Sequence, residues 1–368
     1  MKNTFGDNLA ITIFGESHGE YIGVVLDGLA PGIEVNDETI KAMLELRRPA
    51  GRISTTRVEM DEYRIVSGVF EGRTTGTALT IIIPNSVQRS KDYSKTRPIP
   101  RPGHADYTAY AKYHGFEDYR GGGHFSGRIT AAIVAAGGIV MPALNKKGVY
   151  IGSHIKRCAG VNDRDFNDYL EDIEVLSSSA FAVLDIEAKE EMISRAEAAA
   201  REGDSVGGIL ETAIIGLPAG LGEPWFDSIE SKLSHAMFGI PAVKGIEFGA
   251  GFDMVDARGS EYNDPFRMCG DRVITTTNNN GGINGGITNG MPVLMRLAIK
   301  PTPSIYKQQE SVNMFEGVNA DLIIEGRHDP AIIHRARIVA DSLVAVVIYD
   351  ILAGRYGTDY FAGSKEDK

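Results

Sequence analysis

The chain has 368 residues with 38 Lys and Arg against 49 Asp and Glu, so its formal net charge is −11. Binding to nucleic acid over a broad surface is not expected of such an acidic chain, because neutralising phosphates needs clustered Lys and Arg. Hydrophobic residues make up 43% of the chain, which is enough for a sizeable core and excludes a disordered protein. The 43 glycines exceed the usual share of roughly 7% without a three-residue period, so they predict unusual backbone angles or close ligand approach.

The cellular compartment is indicated by the small number of cysteines and by the lack of a long apolar segment. Its two cysteines, Cys158 and Cys269, form no disulfide framework and fit a reducing environment. The first seven residues show no apolar signal sequence, and the longest stretch without a charged or strongly polar residue, 131–144, is too short to span a bilayer. The eight histidines are scattered without HExxH or CxxC spacing, so we expect no metal site. We expect a cytoplasmic protein with neither a membrane nor a nucleic-acid partner.

Hydrophobic periodicity predicts the secondary-structure elements in chain order. Short β-branched runs predict strands at 9–14 and 22–29, and Asn36 is the predicted N-cap of a helix that continues to Arg48, before Pro49. The later elements are a hairpin of 63–70 with 77–83 around Glu71-Gly72, a buried apolar helix at 129–144, an Ala/Glu-rich helix at 187–201 ended by Gly203, strands at 206–215 and 292–299, and a long helix at 331–353.

These elements favour an α+β fold, because strands and helices come in unequal groups without the regular βαβ alternation of a doubly wound parallel sheet. No linker rich in Pro or Ser interrupts the chain, so we expect one domain over 1–368, with 363–368 as a loose tail. The segments GLAPGI at 28–33 and GLPAGL at 216–221 each follow a predicted strand. They indicate either a duplicated half or two similar turns.

The first candidate site is the segment FGESHG at 14–19, where a strand leads into a small polar turn. Catalytic groups are often carried by loops that a rigid strand holds. Ser17 beside His18 suggests a nucleophile, but adjacent side chains of an extended chain point apart, so we expect no preformed Ser–His pair. A capped turn with a solvated histidine is the structural alternative.

Basic residues mark the next candidates. Four arginines and no acidic residue occur at 47–57, and a second basic stretch extends from Arg89 to Arg101. Arginine suits phosphate and carboxylate ligands, although a solvated loop paired with surface acids would also carry it. His104 follows a Pro-Gly turn and begins a predicted helix, where the helix dipole disfavours the protonated ring and can suit acid–base work.

Glycine-rich turns supply further backbone contacts. Three glycines at 121–123 precede the apolar helix, whose free N–H groups can face an anion, and ten of the 15 residues at 276–290 are Gly or Asn. The segment 300–304 adds a lysine and two hydroxyls, and Asp329 either caps the last helix or acts as an acid–base group. These features indicate an enzyme for a small, highly anionic ligand and a bulky phosphorylated cofactor, with three acid–base candidates: His18, His104 and Asp329.

Together these segments resemble the chorismate synthase family, in the family's order and over nearly the whole chain. Each motif is weak alone, but ten in sequence order make chance convergence very improbable. The motifs are FGESHG at 14–19, DGxxPGI at 27–33, RRPxGR at 47–52, SGVFEGxTTGT at 67–77, QRSxDY at 88–93, RPGHADYT at 101–108, DYRGGG at 118–123, GGxxGGIxNG at 281–290, KPT at 300–302 and GRHDP at 326–330.

The resemblance implies a carbon–oxygen lyase of the shikimate pathway, which serves aromatic amino acid biosynthesis. In its 1,4-anti elimination, 5-enolpyruvylshikimate 3-phosphate loses phosphate and a C6 hydrogen to give chorismate. The family requires reduced FMN although the reaction has no net redox change. Some members reduce the flavin themselves with NADPH, whereas the lack of an added domain or dinucleotide fingerprint favours an external flavin reductase here. The implied fold is a β-α-β sandwich with helices between two antiparallel sheets, and the implied assembly is a homotetramer.

The resemblance also implies roles for individual residues. His18 protonates the reduced flavin, His104 is the general acid for the departing phosphate, and Asp329 assists deprotonation at the flavin N5. Ser17 and Ser126 support these groups with hydrogen bonds. The implied substrate-binding residues are Arg47, Arg52, Arg57, Arg120 and Arg128. The implied flavin contacts are His124, Phe125, Ser126, Ala242, Gly285, Lys300, Thr302, Ser304 and Arg327.

The chain departs from the family at His124-Phe125, where many members have Arg-Ser, and at 278–280, where Asn-His-Ala is more usual. A protonated His124 would have to replace the missing arginine contact. Two other hypotheses stay open. A binding module for a flavin or phospho-metabolite would bind FMN without turnover, and a flavin-dependent redox enzyme would consume NAD(P)H with an acceptor.

Overall fold

The computed structural model describes residues 2–49, 53, 60–86, 97–324 and 328–364. The strands are β1 (Thr4–Phe5), β2 (Ala10–Gly15), β3 (Tyr21–Asp27), β4 (Arg64–Ser67), β5 (Val69–Phe70), β6 (Arg73–Thr74), β7 (Leu79–Pro84), β8 (Tyr150–Cys158), β9 (Val161–Asn162), β10 (Gly208–Ile215), β11 (Val243–Phe248), β12 (Phe266–Cys269), β13 (Arg272–Thr275), β14 (Ile283–Asn284), β15 (Ile287–Thr288), β16 (Val293–Ile299), β17 (Gln309–Asn313) and β18 (Val318–Leu322). The helices are α1 (Asp37–Arg47), α2 (Asp106–Tyr113), α3 (Thr130–Asn145), α4 (Tyr169–Ser177), α5 (Ile186–Arg201), α6 (Ile229–Met237), α7 (Gly259–Tyr262) and α8 (Ile333–Tyr356).

In the described part of the chain, two five-stranded antiparallel sheets enclose the central helices. One sheet has the strand order β1-β2-β3-β7-β4, and the other has the order β11-β16-β10-β8-β9. Helix α3 packs against β3 and β7 of the first sheet and β8 of the second, while α8 packs against α3, β8 and β10. The α+β class and the sandwich of helices between two antiparallel sheets are therefore confirmed.

The two central helices are both buried. The sequence of α3 is apolar on nearly every side, whereas α8 also buries charged residues that are paired, as Arg337 is with Asp341 and Asp350 with Lys232. In α8, all but one of the residues from Ile333 to Ala353 are buried, the exception being Arg335. The segment Gly127–Asn145, which contains α3, is long and apolar enough to cross a membrane, but 78% of its apolar window is buried inside the protein. Such burial is typical of a core helix, and the surrounding apolar side chains of both sheets join one continuous cluster.

Most predicted elements are present with ends shifted by a few residues. The predicted hairpin of 63–70 with 77–83 forms through β4 and β7, and the small pair β5 and β6 closes at Glu71-Gly72. Several elements were not predicted from the sequence, among them α4, α6 and the inner strand β8 of the second sheet. The sequence of β8, YIGSHIKRC, mixes polar with apolar residues, and both Ser153 and His154 are fully buried in it.

The two similar segments at 28–33 and 216–221 share one turn geometry. Gly28 has φ +110°, and a Cβ there would lie 1.9 Å from the carbonyl oxygen of Asn8. Gly216 has φ +84°, and a Cβ there would lie 1.9 Å from the carbonyl oxygen of Gly148. Each glycine thus lies at the end of one strand and beside the start of the adjacent strand, where a side chain would clash with a carbonyl oxygen.

The chain end returns to the first of these turns. The N–H of Gly363, where the predicted tail begins, donates to the carbonyl oxygen of Pro31 at 3.0 Å. Gly363 also packs against Gly32, since a Cβ on Gly363 would lie 2.6 Å from the carbonyl oxygen of Gly32. Residues 365–368 lie outside the described residues.

Strand β8 contains a buried histidine between two carboxylates. His154 Nδ1 lies 2.6 Å from Asp163 Oδ2, and Nε2 lies 3.0 Å from Glu211 Oε2 on the adjacent strand β10. Burial favours the neutral ring, but the hydrogen bonds to Asp163 and Glu211 outweigh it and raise the pKa of His154 above its ordinary value. The ring is therefore a charged link between two strands.

Replacing this ring should destabilise the fold in a pH-dependent way. We expect His154→Gln to lower the free energy of unfolding by about 3 kcal/mol, because both carboxylates lose their buried partner. The pKa of His154 is raised on folding, so its stabilisation is fully present below the ordinary value of 6.5 and is lost as the pH rises through the folded pKa. Thermal unfolding should therefore show a Tm difference from wild type that is largest below pH 6.5 and narrows as the pH rises above that value. A difference that is constant with pH would contradict the charged ring.

Candidate active site

The two predicted catalytic histidines meet at one glycine turn. Gly121, Gly122 and Gly123 have φ values of +59°, +88° and +52°. A Cβ on Gly121 would lie 2.2 Å from His18 Cε1, and a Cβ on Gly122 would lie 3.5 Å from His104 Nε2. The two imidazoles thus lie against consecutive residues of the turn, which the left-handed backbone and the missing side chains make possible.

The turn that carries His18 is fixed by hydrogen bonds from several directions. The N–H of Gly19 donates to Glu16 O at 3.0 Å, and Asn85 Nδ2 donates to Glu16 O at 2.9 Å and Gly19 O at 2.8 Å. Because the chain turns here, the expectation that Ser17 and His18 point apart is wrong, and Ser17 Oγ lies 3.2 Å from His18 Nδ1.

The hydroxyl of Ser17 orients the ring rather than acting as a nucleophile. Ser17 Oγ donates to the carbonyl oxygens of Arg120 at 3.1 Å and Gly121 at 3.3 Å, so its proton is directed away from His18. Its lone pairs are left to accept from His18 Nδ1–H. Both side chains are 8% exposed, so the structural alternative of a solvated histidine does not apply.

His104 is held at the start of α2 by a carboxylate. Its Nδ1 lies 2.7 Å from Asp106 Oδ1, and we assign the proton to Nδ1, which leaves Nε2 facing Gly122. Asp106 also accepts from Arg101 Nε at 2.7 Å. Burial alone would raise the pKa of Asp106, but the hydrogen bonds from Arg101 and His104 lower it well below its usual range. Asp106 is therefore a permanent anion behind His104.

Several predicted cofactor contacts join this cluster. Lys300 Nζ donates to Gly103 O beside His104, and Lys300 N–H donates to Ala242 O at 3.0 Å. Ala242 has φ +75°, which is unusual for a residue with a Cβ. Arg101 donates to Ser304 Oγ at 3.4 Å. The hydroxyl of Thr302 is buried without a partner in the described structure, so it can serve a ligand.

The residues that follow the glycine turn include one that contacts the end of β2, just before the His18 turn. His124 Nδ1–H donates to Gly15 O at 2.7 Å. Phe125 packs near Tyr113 at 6.3 Å between ring centroids and is 38% exposed, so its ring is open to a flat ligand. Ser126 Oγ accepts from Arg128 N–H at 3.3 Å and caps the next helical turn.

Asp329 contacts an arginine and does not cap the last helix. Its Oδ2 pairs with Arg335 NH1, whereas the N-cap of α8 is Ile332, without a side-chain hydrogen bond. The neighbouring His328, which the sequence analysis did not single out, packs against Tyr306 with 5.4 Å between ring centroids. Burial, with a contribution from Arg101, lowers the pKa of His328 and keeps its ring neutral. Its Nε2 is buried without a partner in the described structure.

The predicted substrate arginines have different surroundings. Arg47 and Arg128 are buried and share one carboxylate, Asp61. Burial would raise the pKa of Asp61, but the two guanidinium groups outweigh it and lower the pKa. Arg120 pairs with Asp118 at 2.8 Å and is half exposed. The remaining predicted ligands Arg52, Arg57 and Arg327 lie outside the described residues, as does the segment 87–96.

Gly285 lies in a separate hairpin. It connects β14 to β15 with φ +61°, and a Cβ there would meet nothing within 4 Å. The hydrogen bonds of this hairpin run to Gly220, Leu221 and Ile229.

Two clefts of about 440 and 270 Å³ lie away from the histidines and are lined by residues of α1 and its neighbours.

The arrangement can move protons beside a bound anion. His18 and His104 are suited to acid–base work near neutral pH, and Arg101 and Lys300 supply positive charge around them. The exposed ring of Phe125 fits a flat group, and the unpaired hydroxyl of Thr302 fits one that also carries polar atoms. In the described residues, no group of three or more His, Cys, Asp or Glu side chains could hold a metal ion.

Comparisons with known proteins agree on one family. A family model described as chorismate synthase matches residues 9–353. A chorismate synthase of Pyrococcus abyssi is 47% identical over 350 residues, covering 95% of this chain and 97% of that protein. A chorismate synthase of Methanosarcina barkeri is 44% identical over 351 residues, covering 95% of each. A crystal structure of a chorismate synthase is 26% identical with a TM-score of 0.76, covering 98% of this chain and 95% of that one.

Proposed function

Because this chain belongs to the chorismate synthase family, we propose that it converts 5-enolpyruvylshikimate 3-phosphate to chorismate by 1,4-anti elimination of phosphate. It would thus be a carbon–oxygen lyase of the shikimate pathway. The observation that carries the proposal is the meeting of His18 and His104 at the glycine turn, beside Arg101 and Lys300. The substrate has a phosphate and two carboxylates, which explains a basic site inside a chain with net charge −11.

His104 is the group we assign to the departing phosphate. Asp106 accepts its Nδ1–H and stabilises the protonated ring, so Nε2–H can be given to a phosphate oxygen that lies near Gly122. Arg101, which also contacts Asp106, stabilises the charge that develops on the leaving group. His104 and Arg101 would therefore act together on the bond that breaks.

His18 and Asp329 are the groups that we assign to the proton transfers other than the one to the departing phosphate. Ser17 fixes the His18 ring, and Arg335 fixes the Asp329 carboxylate, so each has one orientation. We take from the resemblance that His18 would protonate the reduced flavin and that Asp329 would assist deprotonation at the flavin N5. Ser126 has a supporting role through the turn before Arg128.

The residues around the histidines fit reduced FMN, which the family resemblance implies. Its ring would contact Phe125, and its polar atoms would be held by a set that we take from the resemblance: His124, Ser126, Ala242, Gly285, Lys300, Thr302, Ser304 and Arg327. The unpaired hydroxyl of Thr302 and the exposed ring of Phe125 support this assignment. When bound, reduced FMN supplies electron density transiently, without net oxidation of the substrate.

Turnover under anaerobic conditions tests the proposed function. We expect purified protein with chemically reduced FMN to form chorismate from 5-enolpyruvylshikimate 3-phosphate, and to form none with oxidised FMN. Chorismate is measured by its absorbance after separation from the substrate. Folded, FMN-saturated protein that forms no chorismate would favour the binding module, and NAD(P)H consumption with another acceptor would favour a redox enzyme.

The source of reduced flavin has its own test. We propose external reduction, because the sequence carries no GxGxxG dinucleotide fingerprint. An aerobic assay with NADPH and FMN, without added reductase, should therefore yield no chorismate, and adding a flavin reductase should restore it. Chorismate formation with NADPH alone would show that the chain reduces its own flavin.

The assembly is proposed from the family resemblance and the location from the composition. We propose a homotetramer in the cytoplasm, without membrane or nucleic-acid partners. Sedimentation of the purified protein tests the assembly, and fractionation of its source cells tests the location.

A further inference from the structure

We propose that Asp61, which lies outside every motif noted above, is the positioning residue that fixes both the His18 turn and Asp329. The inference rests on the proposed function, in which these two groups handle protons. Asp61 has a fully buried side chain between two guanidinium groups: Oδ2 accepts from Arg47 at 2.6 Å and Oδ1 from Arg128. Contacts lead from each arginine to one of the two groups.

The first branch runs through Arg128 to His18. Arg128 Nε donates to Asn85 Oδ1 at 3.0 Å. The amide nitrogen of Asn85 then donates to Glu16 O at 2.9 Å and Gly19 O at 2.8 Å, which are the two ends of the turn that contains His18. A shift of Arg128 would therefore move the turn on which the imidazole sits.

The second branch runs through Arg47 to Asp329. Arg47 is the last residue of α1, and its carbonyl oxygen accepts from Arg335 Nε at 2.9 Å. Arg335 NH1 pairs with Asp329 Oδ2. The guanidinium of Arg335 thus contacts both the end of α1 and the Asp329 carboxylate, so a shift of Arg47 would also move Asp329.

A carboxylate is needed at the junction. Without it, the buried guanidinium groups of Arg47 and Arg128 would lose the carboxylate that they share. Asp61 has φ +46°, a left-handed conformation that Asp tolerates better than most residues, and this turns its short side chain inward. Asp61 accepts hydrogen bonds from both arginines, so we assign to both a structural role in holding the site together.

The test compares Asp61→Asn with Asp350→Asn in the full-length protein. Asp350 is an equally buried carboxylate, which accepts from the N–H groups of Asp7, Asn8 and Leu9 and pairs with Lys232 at 3.2 Å. It lies 17 residues after the start of α8, on the order of 25 Å along the helix. Both variants lose one buried charge, but only Asp61 connects to His18 and Asp329.

We expect Asp61→Asn to lower kcat by about 30-fold with KM changed by less than about threefold, because displaced acid–base groups slow the reaction more than they weaken binding. Asp350→Asn should lower Tm but leave kcat per folded molecule within about twofold. The ring signals of His18, measured by NMR on histidine-labelled protein without substrate, should shift in Asp61→Asn and not in Asp350→Asn. Equal kcat losses in both variants, or unmoved His18 signals, would overturn the inference.

Asn85→Ala keeps the proposal testable if Asp61→Asn does not fold. It breaks only the first branch and should lower kcat by about tenfold. Where both variants fold, the double variant should lose less than the product of the two single losses, because they break the same branch. Multiplicative losses would overturn the inference. Chorismate formation by the wild type in the same assay distinguishes a failure of this inference from a failure of the proposed function.

Discussion

His18→Ala and His104→Ala should each fold and bind ligand but lose turnover by about 10²–10⁴-fold, the usual contribution of a positioned acid–base group. The two rings lie against consecutive glycines of one turn, yet each has its own partner, Ser17 for His18 and Asp106 for His104. Neither ring can therefore take over the task of the other. The measurement is kcat with reduced FMN under anaerobic conditions, together with a Tm for each variant.

His235→Ala is the matched control for these variants. His235 is an exposed histidine on α6 whose ring contacts the edge of Phe5 at 5.1 Å between centroids. Its removal should leave kcat within about twofold, since exposed substitutions away from the site have small effects. Wild-type rates in His18→Ala or in His104→Ala would remove the role assigned to that residue.

Gly121→Ala should also abolish most activity, although it removes no chemical group. The new Cβ would lie 2.2 Å from His18 Cε1, so the imidazole must leave its place, and φ +59° is strained for alanine. A displacement of this size at a catalytic group costs on the order of 10²-fold in rate. We expect kcat to fall by about that factor while the substrate still protects the protein against thermal unfolding.

Gly127→Ala provides the comparison within the same segment. A Cβ on Gly127 would meet nothing within 4 Å, and its φ is not positive. This variant should keep wild-type kcat within about twofold. Equal activity of the two variants would show that His18 does not need the space that Gly121 leaves.

The sequence was informative where one residue decides the local structure. Asn36 caps α1 by accepting from Thr39 N–H at 3.0 Å, and Gly203 ends α5 with φ +73°. A nearly unbroken apolar run predicted α3 as a buried helix, and apolar periodicity predicted α8. The order of the motifs then indicated the family and, through the family, the sandwich of helices between two antiparallel sheets. Hydrophobic periodicity alone did not predict that sandwich.

The sequence was silent where partners come from distant segments. Strand β8 was missed because its buried polar residues are satisfied by other strands and helices, as when Ser153 bonds Thr212 on β10 at 2.6 Å. Arg47 and Arg128 were predicted as substrate contacts through the family resemblance, whereas their shared partner Asp61 lies 14 and 67 residues away from them in the chain. The signal that could have found Asp61 is its charge, because it belongs to the first acidic group after the stretch 47–57, which has four arginines and no acidic residue.

The most direct test of the account is the stoichiometry of the reaction in wild-type protein. With reduced FMN and 5-enolpyruvylshikimate 3-phosphate under anaerobic conditions, we predict one phosphate released for each chorismate formed. The total of reduced flavin should be unchanged at the end, and a His18→Ala/His104→Ala double variant should give neither product. Phosphate release without chorismate, or flavin oxidised in proportion to product, would contradict the proposed elimination.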